Sequence, residues 1–118
     1  MQDAADVLKA LGEPTRLRLA TLLAGAGELC VCRLAGALDE PDFKISRHLA
    51  VLRATGLVEH ARRGTWIYYR LRAARTPFEK SLWNGLRRGL VETKESSADL
   101  ARLQRSACAP KRPSSKGA

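Results

Sequence analysis

The sequence predicts an α+β, mainly helical fold: four helices, a two-stranded β-hairpin and a C-terminal helix. Three observations carry this. Apolar residues recur at helical spacing up to Gly56, the period shortens to two across residues 57–71, and helical spacing returns after Pro77. At 118 residues, 45% of them hydrophobic, the chain can bury one modest core and is too short for two domains.

Ala4, Val7, Leu8 and Leu11 make the apolar stripe of the first helix, which Gly12 stops. Pro14 suits the first position of the second helix, whose buried side is Leu17, Leu19, Ala20, Leu22 and Leu23 and whose end is Gly25 to Gly27. A short third helix is expected to begin between Cys30 and Arg33 and finish near Leu38. "DEPD" (39–42) is a turn, with Asp42 as the expected N-cap of a fourth helix carrying Ile45, Leu49 and Leu52. "LVEHARRGTWIYYRL" (57–71) alternates on both sides of Arg63-Gly64, as a hairpin does. Pro77 opens the last helix, with Phe78, Leu82, Leu86 and Leu90 at spacing four, expected to run on through Leu100 and Leu103. "ACAPKRPSSKGA" (107–118) has the composition of a disordered tail.

The charge is uneven. Residues 1–43 hold four basic and seven acidic side chains, whereas residues 44–75 hold eight basic ones against Glu59 alone, within a net charge of +9. A basic block inside a folded region suits a polyanion, because each phosphate contact releases condensed counterions. Two helices joined by a short turn and followed by a basic hairpin form a winged helix-turn-helix. Ser46, Arg47 and His48 stand in the first turns of the fourth helix, where side chains of a recognition helix reach bases or the flanking phosphates. Lys44, Arg62 and Arg63 are expected mainly to hold the DNA backbone, and Arg53 to contact DNA. No apolar run approaches the roughly 20 residues of a membrane span, and no secretion signal is evident, so a soluble cytoplasmic protein is expected. No phosphate loop, nucleophile elbow or HExxH pattern is present, so an enzyme is not expected.

"ELCVCRLAGAL", "KISRHLAVLRATGLV" and "RRGTWIYYRL" together resemble the ArsR/SmtB family of metal-responsive repressors, in particular its arsenical branch, from about Ala4 to Leu103. The resemblance implies a homodimer bound to an inverted-repeat operator, needing no cofactor for DNA binding. It also implies release when trivalent arsenic or antimony binds cysteine thiolates, which derepresses a resistance operon. Residues 1–103 are then the DNA-binding and dimerisation domain, and residues 104–118 a flexible basic tail. The first and last helices are expected to form the dimer interface, because Leu82, Leu86 and Leu90 would otherwise leave an apolar stripe exposed.

The chain departs from the arsenical pattern ELCVCxLC at Ala35, where the third cysteine stands, leaving Cys108 as the remaining thiol. The expected ligands are therefore Cys30 and Cys32, with Cys108 as a third from the tail. Thiolates select soft ions, so Cd(II) or Pb(II) at the same cysteines is one alternative and a thiol-redox repressor another. No histidine lies between Thr76 and Leu103, which excludes the last-helix zinc site of the family's zinc branch. If Cys30 and Cys32 both lie in one helix, their side chains diverge by about 200°, and chelation requires its first turn to unwind or tilt.

Overall fold

The computed structural model describes residues 1–90 and 92–106. The chain order is α1 (Gln2–Leu11), α2 (Pro14–Ala26), β1 (Glu28–Cys30), α3 (Val31–Leu38), α4 (Asp42–Ala54), β2 (Val58–Arg63), β3 (Trp66–Leu71), α5 (Pro77–Gly89) and α6 (Lys94–Arg105). The winged helix-turn-helix is present, with α3 and α4 as the paired helices and β2–β3 as the wing.

α2 is the central element. It packs against α1, α3, α4, α5, α6 and β3, so its apolar residues are distributed around its circumference. Leu19 and Leu23 meet Leu34 of α3, Ile45, Leu49 and Leu52 of α4, Leu57, Trp83 and Leu86 of α5, and Leu103 of α6 in one core. Each such fully buried side chain contributes about 1.5–3 kcal/mol of transfer free energy. Side-chain caps begin three helices: Glu13 Oε1 accepts from Arg16 N at 2.9 Å, Thr76 Oγ1 from Glu79 N at 3.1 Å, and Thr93 Oγ1 from Ser96 N at 3.1 Å.

Several expectations are corrected. The last helix is two helices. α5 carries Gly85 and Gly89, each of which weakens a helix interior by about 1 kcal/mol. Thr93 then bonds back to Leu90 O and caps α6. The N-cap of α4 is Pro41 in extended conformation, and Asp42 is the first helical residue. The wing is also joined by an unforeseen third strand. β1 pairs antiparallel with β3 (Glu28 with Arg70, Leu29 with Tyr69, Cys30 with Tyr68), giving the sheet order β1-β3-β2. The hairpin register runs from Val58–Leu71 to Arg63–Trp66, and Gly64 supplies the positive φ (66°) that the two-residue turn needs.

Leu82 and Leu86 of α5 and Leu90 at its end are covered within the chain, contrary to the expectation that a second copy is needed to cover them. Leu86 is buried, and Leu82 and Leu90 pack on the core. Among the exposed apolar side chains, Leu8 of α1 (50% exposed) and Phe78 at the start of α5 (43%) line one groove with Met1 and Ala4.

α6 is tied to the helix-turn-helix by ions and carbonyls. Asp99, 1% exposed, accepts from Arg18 of α2 and from Arg102. Arg102 Nε donates to Ala37 O at 2.7 Å and Arg33 Nη2 to Leu103 O at 2.9 Å, satisfying end-of-helix carbonyls of α3 and α6. Ser106 lies so close to Gly36 that a Cβ there would stand 2.8 Å from its Oγ.

Candidate nucleic-acid interface and thiol site

α4 is amphipathic in a way that aims its polar side outward. Ile45, Leu49 and Leu52 are wholly buried, while Phe43, Ser46, Arg47 and Ala50, at the i, i+3, i+4, i+7 positions of the opposite face, are exposed. Of the residues singled out from the sequence, Ser46 and Arg47 share that face. Lys44, half-buried, reaches back to Glu40 at 3.1 Å. His48 turns towards the N-terminus of α2, its Nδ1 3.4 Å from Arg16 Nη1 and 3.9 Å from Glu13 Oε1. The structure thus separates His48 from its neighbours Ser46 and Arg47: its ring bridges α4 to α2.

Arg53, at the end of α4, lies 3.0 Å from His60 Nε2 on β2, and His60 stacks on Tyr69 of β3. Helix and wing are therefore joined at their solvent edge. At the hairpin tip Arg62 is exposed, with Nη1 3.5 Å from Gly64 O. Arg63 is engaged on both sides. Its guanidinium meets the Glu28 carboxylate at 2.5 and 2.9 Å and lies 4.9 Å over the Tyr68 ring. The hydrogen bond from Arg63, aided by its charge, holds the Glu28 carboxyl below its usual range.

Glu28, Phe43 and Asp99 escape sequence reasoning. For Phe43 a signal exists, since it falls off the Ile45–Leu49–Leu52 row and is 66% exposed. Arg47 lies beside it, with the guanidinium carbon 6.0 Å from the ring centroid.

Cys30 and Cys32 do not share one helix: α3 begins at Val31, within the expected range. Cys30 is extended (φ −85°, ψ 163°), ends β1 and stands as the N-cap of α3, 6% exposed. Cys32 is the second residue of α3 and half-buried. The roughly 200° divergence of an intact helix therefore does not apply, because the pair straddles a strand–helix junction. Among the described residues no group of three or more His, Cys, Asp or Glu side chains could hold a metal ion. Cys108, two positions beyond Ser106, lies outside the described residues. Cys30 is a free thiol and Cys32 is disulfide-bonded; reduced to two thiolates, the pair would suit a soft thiophilic ion and not a hard one.

Residues 13–60 match the family described as bacterial regulatory protein, arsR family. A crystal structure titled "Possible transcriptional regulator for arsenical resistance" is 34% identical, with a TM-score of 0.56, and the match covers 88% of this chain and 98% of that one. The chain belongs to the arsR family. The matched segment of this arsR-family chain runs from the cap of α2 into β2, so it contains Cys30, Cys32 and the whole of α4. The arsenic resistance transcriptional regulator ArsR2 of Pseudomonas putida is 53% identical over 66 residues, which are 56% of this chain and 57% of the relative. The arsenical resistance operon repressor of Escherichia coli is 51% identical over 65 residues, 55% of this chain and 56% of the relative. The chain thus spans a little over half the length of these curated relatives.

Proposed function

We propose that this chain is a metalloid-responsive transcriptional repressor of the cytoplasm. As a homodimer it binds an inverted-repeat operator without a cofactor, and it leaves the operator when Cys30 and Cys32, joined by Cys108, bind trivalent arsenic or antimony. A resistance operon is thereby expressed. The observation that carries this reading is the position of Cys30, which closes β1 and opens α3. β1 is hydrogen-bonded to wing strand β3, and α3 supports α4, so one thiol site touches both elements that would meet DNA.

The protein's own groups do the following. Ser46 and Arg47 read bases or the phosphates beside them; Lys44, Arg53, Arg62 and Arg63 hold backbone. His48, in contact with Arg16, fixes the tilt of α4 on α2. A bound ion supplies short bonds to thiolates, which must lie within roughly 4 Å of one another. With both cysteines as thiolates, holding their sulfurs on one ion would fix the strand–helix junction in one geometry, and with it the relation of wing to recognition helix. Cys108 as third ligand is supported by the course of α6: its last turn lies along α3, with Ser106 beside Gly36. The dimer is supported by the exposed Leu8 and Phe78 on α1 and α5, whose apolar groove a second copy would cover.

The test is a titration of As(III) against the protein bound to DNA from upstream of its own gene. Release of the duplex at ion concentrations near those of the protein sites is expected. Retention of the duplex at saturating As(III) and Sb(III) would contradict the proposal.

A further inference from the structure

α4 carries a large apolar side chain that the fold does not use. Phe43 is 66% exposed on the face that also holds Ser46, Arg47 and Ala50, away from the core row Ile45, Leu49 and Leu52. Within α4 the cations are Lys44, Arg47 and Arg53, and the sole carboxylate is Asp42. A phenyl ring beside the Arg47 cation on one exposed helix face is matched by a surface that is anionic at its rim and apolar at one point inside. The DNA major groove is such a surface, because thymine presents a C5-methyl group between phosphate walls.

We infer that Phe43 is a specificity-determining residue that packs on a thymine methyl in the major groove and holds Arg47 ready for an adjacent guanine. The inference rests on the reading of α4 as the DNA-binding helix and deepens it. The two roles are physically linked. With its guanidinium 6.0 Å from the Phe43 centroid, Arg47 has its swing restricted before DNA arrives. A planar guanidinium held in this way suits the paired O6 and N7 acceptors of guanine.

The test begins by selecting the preferred duplex of the wild type from a random-sequence pool. Each thymine of that duplex is then replaced singly by deoxyuridine, which removes only the methyl group, and affinities are read by fluorescence anisotropy. In the wild type, one thymine per half-site is expected to lose about fourfold in affinity when its methyl is removed, the factor supplied by one buried methyl-sized group. Phe43→Ala should be indifferent to that replacement, and Phe43→Leu, which stays apolar, should keep most of the difference. All three proteins should share one thermal midpoint, since the ring lies outside the core. Wild type indifferent to deoxyuridine at every position, or Phe43→Ala keeping the wild-type difference, overturns the inference while leaving α4 as the DNA-binding helix. Failure of the wild type to bind any duplex overturns that reading and the inference together.

Discussion

Arg18 donates to both carboxylate oxygens of Asp99, at 2.9 and 2.7 Å, across 81 positions of sequence. The contact fixes α6 on α2, and Arg102 completes it by bonding Asp99 and Ala37 O together. Removing a buried acceptor leaves its donors to find water, and hydrogen bonds to charged groups are worth about 1.5–3 kcal/mol. Arg18 and Arg102 are partly exposed, which lowers the cost of stranding them. Asp99→Ala is therefore expected to lose about 2 kcal/mol, and Asp99→Asn less, in urea unfolding. A change under about 0.5 kcal/mol, the usual range of surface substitutions, would contradict the assignment.

Arg63 is already paired when DNA arrives. The Glu28 carboxyl, held below its usual range first by the Arg63 hydrogen bond, keeps its charge at neutral pH and competes with phosphate for the guanidinium. Glu28→Gln should tighten binding to any duplex by a few-fold and steepen its salt dependence. Arg63→Ala should flatten the log–log salt slope by about 0.9 if one phosphate contact is lost. Anisotropy titrations of a random-sequence duplex at several salt concentrations measure both. Unchanged slopes in both variants would mean that Arg63 stays with Glu28 in the complex.

Glu79 gives the fold a pH dependence of known sign. Its carboxyl is lowered from the ordinary 4.5, first by the side-chain hydrogen bond from Arg75 and further by the Arg75 backbone N–H, against the opposing effect of burial. A depressed acid contributes stability that is fully present above pH 4.5 and lost as the pH falls through the lowered folded value. The thermal midpoint of the wild type should therefore fall more steeply below pH 4.5 than that of Glu79→Gln. Parallel curves would show that the pair does not titrate with folding.

The groove of Met1, Ala4, Leu8 and Phe78 is where a second copy is expected to sit. Phe78 is 43% exposed, so Phe78→Asp leaves the core alone and puts a charge in the interface. Sedimentation at micromolar concentration should find the wild type dimeric and Phe78→Asp largely monomeric. A wild-type monomer contradicts the dimer.

Much of this architecture was legible because its causes are local. Pro14 and Pro77 open helices at the first position, Gly64 turns the hairpin, and the row Ile45–Leu49–Leu52 fixes which side of α4 is buried. The misreadings arise where tertiary partners decide. β1 is three residues long, too short for any period, and exists because β3 offers its edge. From sequence, Leu82 and Leu90 are expected in the dimer interface because no pattern states that the chain's own core would reach them. Cys30 belongs to the same short strand, so the cysteine pair was found in sequence but the pairing of Cys30 with β3 was not. His48 and Arg63 have the right chemistry for phosphate, yet Arg16 and Glu28, distant in sequence, hold them in the folded chain.

The central claim is that ion binding at the strand–helix junction releases DNA, and the direct measurement is As(III)-dependent operator release in wild type, Cys30→Ser, Cys32→Ser and Cys108→Ser. The wild type should let go as As(III) rises. Cys30→Ser and Cys32→Ser should bind the operator normally and hold it at every As(III) concentration. Cys108→Ser should still release, at higher ion concentration, because two thiolates remain at the junction. Release from Cys30→Ser or Cys32→Ser at the wild-type As(III) concentration would contradict the account.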